Sequence, residues 1–299
     1  MKKKVVVITG PTGVGKTKIS IEIAKLLNTE IINGDAYQIY TKMDIGTAKP
    51  TTSERSEVKH NFFDFLDPIN DFSVSDYQRE IRSYIDDFSN KNIVPLIVGG
   101  TGLYIDSVIM NYQFLAPRRE NNNKFDDLSN EELHKVLEKI DYDASIKIHM
   151  NNRKRVLRAI ELANTQEIES RTLKNEFYYD ALVIFLNAER DVLYDRINKR
   201  VDKMINEGLV DEVKSLYPNQ LGLTAKAAIG YKELFSYFDN EISLEDAIAK
   251  IKQNSRHYAK RQMTWYRNKP YANFINVDFN NIEFTINEVY NLIKTFLNN

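Results

Sequence analysis

The sequence predicts an α/β fold, with a parallel sheet built around a glycine-rich loop and a small helical domain inserted into it. Three observations carry this. Short, β-branched apolar runs recur at 4–9, 93–98 and 181–186, each the length of a strand buried on both faces. Helix-period segments alternate with these runs, the ordering expected of a sheet covered by helices on both sides. Between the second and third runs lies a stretch that turns polar and then reads as helix alone.

In order along the chain, 4–9 reads as a buried strand bounded by glycine, and a helix follows from Lys16 with Ile19, Ile23, Ala24 and Leu27 on one face. A short strand is expected at 30–33 and another at 61–66. An amphipathic helix is expected over 74–88, with Ser73 as its cap. The run 93–98 ends in Gly99-Gly100. The segment 118–127 is Asn-rich and reads as a loop; 130–175 reads as helices only. The strand 181–186 resumes the sheet. Helices near 190–207, 210–216, 227–238 and 243–268, a strand at 274–277 and a closing helix complete the chain. The expected division is a core of 1–116 and 178–299, with 117–177 inserted.

Composition narrows the function classes. With 299 residues, 42% of them hydrophobic, the chain can bury one large core. The formal net charge of -1 gives no bulk attraction to nucleic acid, so any basic surface must be local. The absence of cysteine excludes disulfides and thiolate metal sites and fits a reducing compartment. The apolar run after Met1-Lys2-Lys3-Lys4 is too short for a signal peptide, and no stretch is long enough to span a membrane. A cytoplasmic protein is expected.

Gly10-Pro11-Thr12-Gly13-Val14-Gly15-Lys16-Thr17 fits G-x-x-x-x-G-K-[ST] in full, after a strand and at the start of a helix. Backbone N–H groups of such a loop curl around phosphate oxygens, and the helix N-terminus adds partial positive charge. Lys16 would place an ammonium on the phosphates, and the Thr17 hydroxyl would ligate magnesium. The core is therefore of the phosphate-loop NTPase-like kind. The motif points to phosphate binding and leaves open whether a phosphoryl group is transferred.

Asp35 follows the 30–33 strand, at the carboxyl edge where open α/β sheets bind ligands. It could hold magnesium, orient a water, take a proton, or simply form a turn after Gly34. Thr101 sits at another strand end, as a ligand contact, a helix cap or both. Arg190, Arg196 and Arg200, on the helix after the 181–186 strand, suit closure over phosphate or surface pairing with Glu189, Asp191 and Asp195.

Two basic clusters stand out. Arg153, Lys154, Arg155 and Arg158 share one short helical segment, Arg155 and Arg158 on one face. In the 243–268 helix, Lys252, Arg256 and Lys260 step by four, and no acid occurs from Lys250 to Lys269. Such a run suits phosphate-backbone contact as well as solvation. Trp265, with Leu244, Ile248, Ile251 and Tyr258, is expected on an apolar stripe facing the core.

Together these segments resemble the bacterial tRNA dimethylallyltransferases over nearly the whole chain. The resemblance runs from Gly10–Thr17 through Met43-Asp44-Ile45-Gly46-Thr47-Ala48-Lys49-Pro50 and Gly99-Gly100-Thr101-Gly102-Leu103-Tyr104 to Tyr258-Ala259-Lys260-Arg261-Gln262-Met263-Thr264-Trp265. Also included are Asp67-Pro68, Arg158-Ala159-Ile160-Glu161, Arg200-Val201-Asp202-Lys203-Met204 and Ile229-Gly230-Tyr231-Lys232-Glu233. Departures are Ala36 where serine is usual, His149-Met150-Asn151-Asn152 for His-Pro-Asn-Asp, Thr165-Gln166 for Thr-Gly, and a short insertion.

The resemblance implies transfer of a dimethylallyl group from dimethylallyl diphosphate, with magnesium, to the exocyclic amine of an adenosine beside the anticodon of tRNA. It implies that Gly10 through Thr17 and Arg196 hold the diphosphate. Lys16, Thr101 and Arg200 would join Asp35, the family's general base, in catalysis. Asp35, Ala36, Tyr37, Gln38, Thr101, Lys154, Arg155, Val156, Leu157 and Arg158 would contact the tRNA anticodon stem-loop; the acid-free basic run of the 243–268 helix adds Arg256, Lys260 and Arg261 as candidates for the same contact. The protein is expected to act as a monomer, without zinc. Two rival readings are a small-molecule kinase using the same loop for ATP, and a non-catalytic nucleotide-binding RNA module.

Overall fold

The structure is a computed structural model that describes residues 2–91, 93–114, 125–164 and 176–299. Among these residues six strands form one sheet of order β3-β2-β4-β1-β5-β6, every neighbouring pair parallel. The strands are β1 (Lys4–Thr9), β2 (Ile31–Asn33), β3 (His60–Asn61), β4 (Leu96–Gly99), β5 (Asp180–Asn187) and β6 (Ala272–Asn276). The helices of the sheet-bearing unit are α1 (Lys16–Leu27), α2 (Thr52–Glu57), α3 (Val74–Asn90) and α4 (Gly102–Ile109). After the inserted segment come α8 (Arg190–Asn206), α9 (Leu209–Leu216), α10 (Leu223–Lys226), α11 (Tyr231–Phe238), α12 (Leu244–Arg267) and α13 (Ile282–Asn298).

The central strand shows why the sheet must be covered on both faces. Val5, Val6, Val7 and Ile8 are all fully buried, although alternate residues point to opposite sides. Val6 and Ile8 join a core with Ile19 and Ile23 of α1 and Val289 and Ile293 of α13. A second core gathers Ile39, Tyr40 and Met43 with Val201, Leu209, Tyr231, Leu234 and Ile251, drawn from α8, α9, α11 and α12. Ser73 caps α3 as the sequence predicts: its side chain accepts from the Asp76 amide at 3.1 Å, and the Asp76 carboxylate accepts from the Ser73 amide at 3.1 Å.

Some elements differ from expectation, each for a local reason. The strand expected over 61–66 ends at Asn61, because Phe62 and Asp64 take left-handed φ of 63° and 57°. The strand expected from 93 begins at Leu96, after Pro95, which has no amide to give to a ladder. The helix expected over 227–238 begins only at Tyr231, after Gly230, whose φ is 100°, and the short α10 before it ends at Lys226. The expected strand 274–277 pairs with β5 over Ala272–Asn276.

The chain divides into two compact units, Met1–Met110 with Phe177–Asn299, and Asn111–Glu176. Within the second lie α5 (Asn130–Ile140), α6 (Tyr142–Lys147) and α7 (Arg153–Asn164). Leu133, Leu137, Ala144, Val156, Ala159 and Ile160 form its core. Arg153 donates to the Leu128 carbonyl at 2.7 Å and the Phe125 carbonyl at 2.5 Å, tying α7 to the segment before α5. The remaining expectations for 115–124 and 165–175, including Thr165-Gln166, lie outside the described residues. No helix among the described residues is long and apolar enough to cross a membrane.

Candidate active site

A cavity of about 730 Å³ opens at the carboxyl ends of the central strands, lined by the loop after β1, the segment after β2, the Gly99-Gly100 end of β4, and α8 and α12. This is the edge where parallel sheets present their loops, and the volume suits a small ligand.

The loop after β1 is the phosphate-binding turn. Gly13 and Gly15 take φ of 84° and 97°, a region that side chains resist, so both positions demand glycine. Lys16 bends back over the loop and donates to the Gly10 carbonyl at 2.9 Å and the Pro11 carbonyl at 3.0 Å. Burial and the nearby Arg200 guanidinium push its ammonium down to about 8, against the pull of Asp35. Thr17 opens α1 with its side chain partly exposed at the cavity.

Two arginines one turn apart on α8 reach this loop. Arg196 donates from Nε to the Gly13 carbonyl at 2.9 Å, its guanidinium over the Phe279 ring at 4.1 Å. Arg200 donates from Nη1 to Thr12 Oγ1 at 3.2 Å. Arg190 points elsewhere, onto the Tyr194 ring at 5.1 Å. Of the three acids expected as surface partners of these arginines, Asp195 pairs instead with Lys199 at 2.7 Å. Three cations therefore converge on one loop, and burial with Arg196 holds the Arg200 guanidinium below its usual range.

Asp35 is set opposite them. Its backbone amide donates to Asn33 Oδ1 at 2.8 Å, and the fully buried Asn33 donates back to the Asp35 carbonyl at 3.1 Å. One carboxylate oxygen accepts the Tyr37 amide at 2.9 Å, so the turn role is real. The same carboxylate faces the cavity. Burial raises its pKa, and the Tyr37 amide, Lys16 and Arg200 only partly offset this. A carboxylate so placed is primed to accept a proton.

Thr101 stands at the start of α4, but its side chain makes no capping hydrogen bond. Its Oγ1 accepts the Ala36 amide at 3.1 Å instead, joining the ends of β2 and β4. The Tyr258 hydroxyl lies beside Thr101 and Asp35 and is held protonated by burial. Gln38 donates to the Thr47 and Ala48 carbonyls at 2.9 and 3.0 Å, fixing the loop after Met43 as a cavity wall. The amides of Asp44, Ile45 and Gly46 all donate to the Glu212 carboxylate, at 2.9, 2.7 and 3.0 Å.

The structure thus brings together the loop, Lys16, Thr17, Asp35, Tyr37, Gln38, Arg196, Arg200 and Arg261 around one cavity. Other expected contacts are placed differently. Arg256 donates to Asn198 Oδ1 at 2.6 Å, and Lys252 pairs with Asp202 at 2.5 Å, so this basic face of α12 lies on α8. Lys260 and Arg261 remain exposed. In the second unit Lys154 and Arg155 are exposed and Arg158 pairs with Glu161 at 3.0 Å. Val156 is fully buried in that unit's core, so its side chain is not presented at the surface, while Leu157 packs against the core and stays partly exposed. Trp265, expected in the core, is 37% exposed and donates from Nε1 to Asp106 Oδ2 at 3.0 Å. Glu212 and Gln262 received no role from the sequence: Gln262 falls within the Tyr258–Trp265 block without a function of its own there, and only the folded chain shows what each holds.

For magnesium, the described residues contain no cluster of three or more metal-ligating His, Asp or Glu. A magnesium ion bound together with a phosphate ligand needs few protein ligands, its shell being completed by phosphate oxygens and water. The Thr17 hydroxyl is the side chain suited to it at the loop.

The IPP transferase family model matches residues 38–269. A tRNA dimethylallyltransferase of Bacillus cytotoxicus is 48% identical, over 90% of this chain and 88% of its own length. That of Bacillus velezensis is 47% identical, over 90% and 89%. Among solved structures, the tRNA isopentenylpyrophosphate transferase of Bacillus halodurans is 42% identical, superimposes with a TM-score of 0.76 and covers 100% of this chain and 97% of its own. A eukaryotic dimethylallyltransferase acting on tRNA is 27% identical, with a TM-score of 0.80 over 98% of this chain and 80% of its own. With a matching fold, a family model spanning most of the sequence and relatives near half identity, the chain belongs to the IPP transferase family.

Proposed function

We propose that this protein transfers a dimethylallyl group from dimethylallyl diphosphate to the exocyclic amine of an adenosine beside the anticodon in tRNA, releasing diphosphate. The observation that carries this reading is the facing arrangement within one cavity: a buried, proton-accepting Asp35 on one side, and the loop amides with Lys16, Arg196 and Arg200 on the other.

The chemistry follows from that arrangement. The bond between the allylic carbon and the diphosphate oxygen breaks, and negative charge grows on the leaving group. Loop amides, Lys16 and Arg200 stabilise that charge. Magnesium, held by Thr17 and phosphate oxygens, would supply further charge neutralisation. The adenine amine forms the new carbon–nitrogen bond and gives its proton to Asp35, a contribution of roughly 10²–10⁴-fold. The adenine must leave its stack to reach the cavity, at a cost of about a few kcal/mol. Lys154, Arg155, Lys260 and Arg261 supply exposed positive charge for the RNA backbone. The reading has the protein working as a monomer in the cytoplasm.

Mass spectrometry of tRNA nucleosides after incubation with dimethylallyl diphosphate and magnesium tests this. Dimethylallyl-adenosine is expected at one position of the anticodon loop. Phosphorylation in a parallel ATP incubation, without prenylation, would support a kinase instead; tRNA binding with neither product would support a non-catalytic module.

A further inference from the structure

Gln262 lies in the C-terminal part of α12 and is buried, 6% exposed. Both ends of its amide are used. Oε1 accepts the backbone amide of Thr12 at 2.9 Å, and Nε2 donates to the Gly100 carbonyl at 2.9 Å. Thr12 lies in the phosphate loop and also receives Arg200 at its hydroxyl. Gly100 immediately precedes Thr101, whose hydroxyl accepts the Ala36 amide next to Asp35. One side chain therefore spans the gap between the loop that would hold the leaving group and the strand end that would hold the acceptor. The fit is close: a Cβ added at Gly100 would stand 2.2 Å from Gln262 Nε2.

α12 is itself held from α4. The fully buried Asp106 carboxylate receives Trp265 Nε1 at 3.0 Å and the Tyr271 hydroxyl at 2.7 Å, and Lys269 approaches it to 3.3 Å. Trp265 also covers Gly102, where an added Cβ would come within 2.5 Å of its ring. The helix that carries Gln262 thus has a fixed position against the strand end that Gln262 bridges.

We propose that Gln262 is a positioning residue for the transfer, setting the phosphate loop and the Asp35–Thr101 edge at the separation at which amine and allylic carbon can meet. Both polar ends of its amide are taken up by backbone groups of the protein, so its effect falls on turnover more than on the affinity for either substrate alone. Near-attack geometry is sensitive to displacements of an ångström or less. The proposal rests on the prenyl-transfer reading above.

The test uses two variants of the full chain. Gln262→Met keeps the length and apolar bulk of the side chain and removes both hydrogen bonds. Its kcat is expected to fall at least tenfold, with binding of magnesium diphosphate and of tRNA, each measured alone, within about threefold of wild type. Gln262→Glu provides a readout that bulk packing would not move. Ionised, it still accepts from Thr12 but meets the Gly100 carbonyl with a second oxygen; protonated, its OH can donate there as the amide does. The ratio of Gln262→Glu to wild-type kcat is therefore expected to rise as pH falls, and the ratio cancels the titration of Asp35 common to both. Rates are read at a temperature where circular dichroism shows each variant folded. If wild type transfers the prenyl group while Gln262→Met stays within threefold of it in kcat, the positioning role is overturned and the function stands. Diphosphate affinity lost in step with kcat, or a flat Gln262→Glu ratio, also overturns it. A wild type with no transfer overturns the function and this role together.

Discussion

Arg200 Nη1 donates to Thr12 Oγ1 at 3.2 Å, so an arginine 188 residues further along the chain closes the side of the phosphate loop. The contact sets a cation against the loop's outer turn, one helical turn beyond Arg196, which grips the Gly13 carbonyl. Removing the guanidinium as Arg200→Ala is expected to lower kcat by about 10²–10³, the scale of losing one preorganised charge-stabilising donor. Arg200 also depresses Lys16, so the Lys16 pKa is expected to rise in the variant. Steady-state kinetics, together with the pH dependence of diphosphate binding, checks both.

Lys16→Ala is expected to abolish turnover with the fold intact. The wild-type Lys16 pKa, near 8, lies below its unfolded value of 10.5. The unfolded chain thus binds the extra proton between those values, and this group adds stability as pH rises through that window. At pH 7 its ammonium contributes no net stabilisation, so thermal unfolding of Lys16→Ala at that pH should match or exceed wild type. Diphosphate binding runs the other way: it needs the ammonium, and wild-type affinity should weaken above about pH 8. Calorimetry at pH 7 and pH 9, in buffers of different ionisation enthalpy, should show proton uptake on binding only at the higher pH.

Asp35→Asn keeps the turn, because the amide oxygen can still accept from Tyr37. It removes the proton acceptor. The expected loss in kcat is roughly 10² or more, with tRNA affinity far less changed. Burial raises the Asp35 pKa, so the acid limb of the wild-type rate profile should be displaced upward from the ordinary aspartate value. For stability the sign is set by the same shift: the folded protein holds this proton to higher pH, so the contribution is present at low pH and is lost as pH rises. Asp35→Asn should therefore be at least as stable as wild type at pH 8. An equal loss of rate and tRNA affinity would make Asp35 a residue that positions RNA.

The exposed Arg155 and the Glu161-paired Arg158 carry the RNA prediction for the helical unit. Each phosphate contact contributes a log–log salt slope of about −0.7 to −0.9. Replacing both arginines by alanine is expected to weaken tRNA binding and make the slope shallower by roughly one to two units. Diphosphate binding should not change, since the loop belongs to the other unit. Filter binding at several salt concentrations decides it; an unchanged slope would leave both arginines to solvent and to Glu161.

The sequence by itself determined the parallel core and the phosphate loop, because both depend on neighbours in the chain. A run such as Val5-Val6-Val7-Ile8 has no polar face to give solvent, and a glycine-rich turn before a helix has few other uses. It also marked Asp35, Thr101 and the arginines of α8 as candidates, and could not choose among their roles. Tertiary structure made the choice of neighbours. It set Arg196 and Arg200 on the loop while turning Arg190 away, laid Arg256 against Asn198, buried Val156, and left Trp265 half in solvent. It alone gave Glu212 three backbone amides to hold and Gln262 the phosphate loop and the end of β4 to join. Helical spacing fixes which residues share a face but not what that face meets. For a glutamine or an arginine, with one side chain able to serve core, solvent or ligand, the partner across the fold decides.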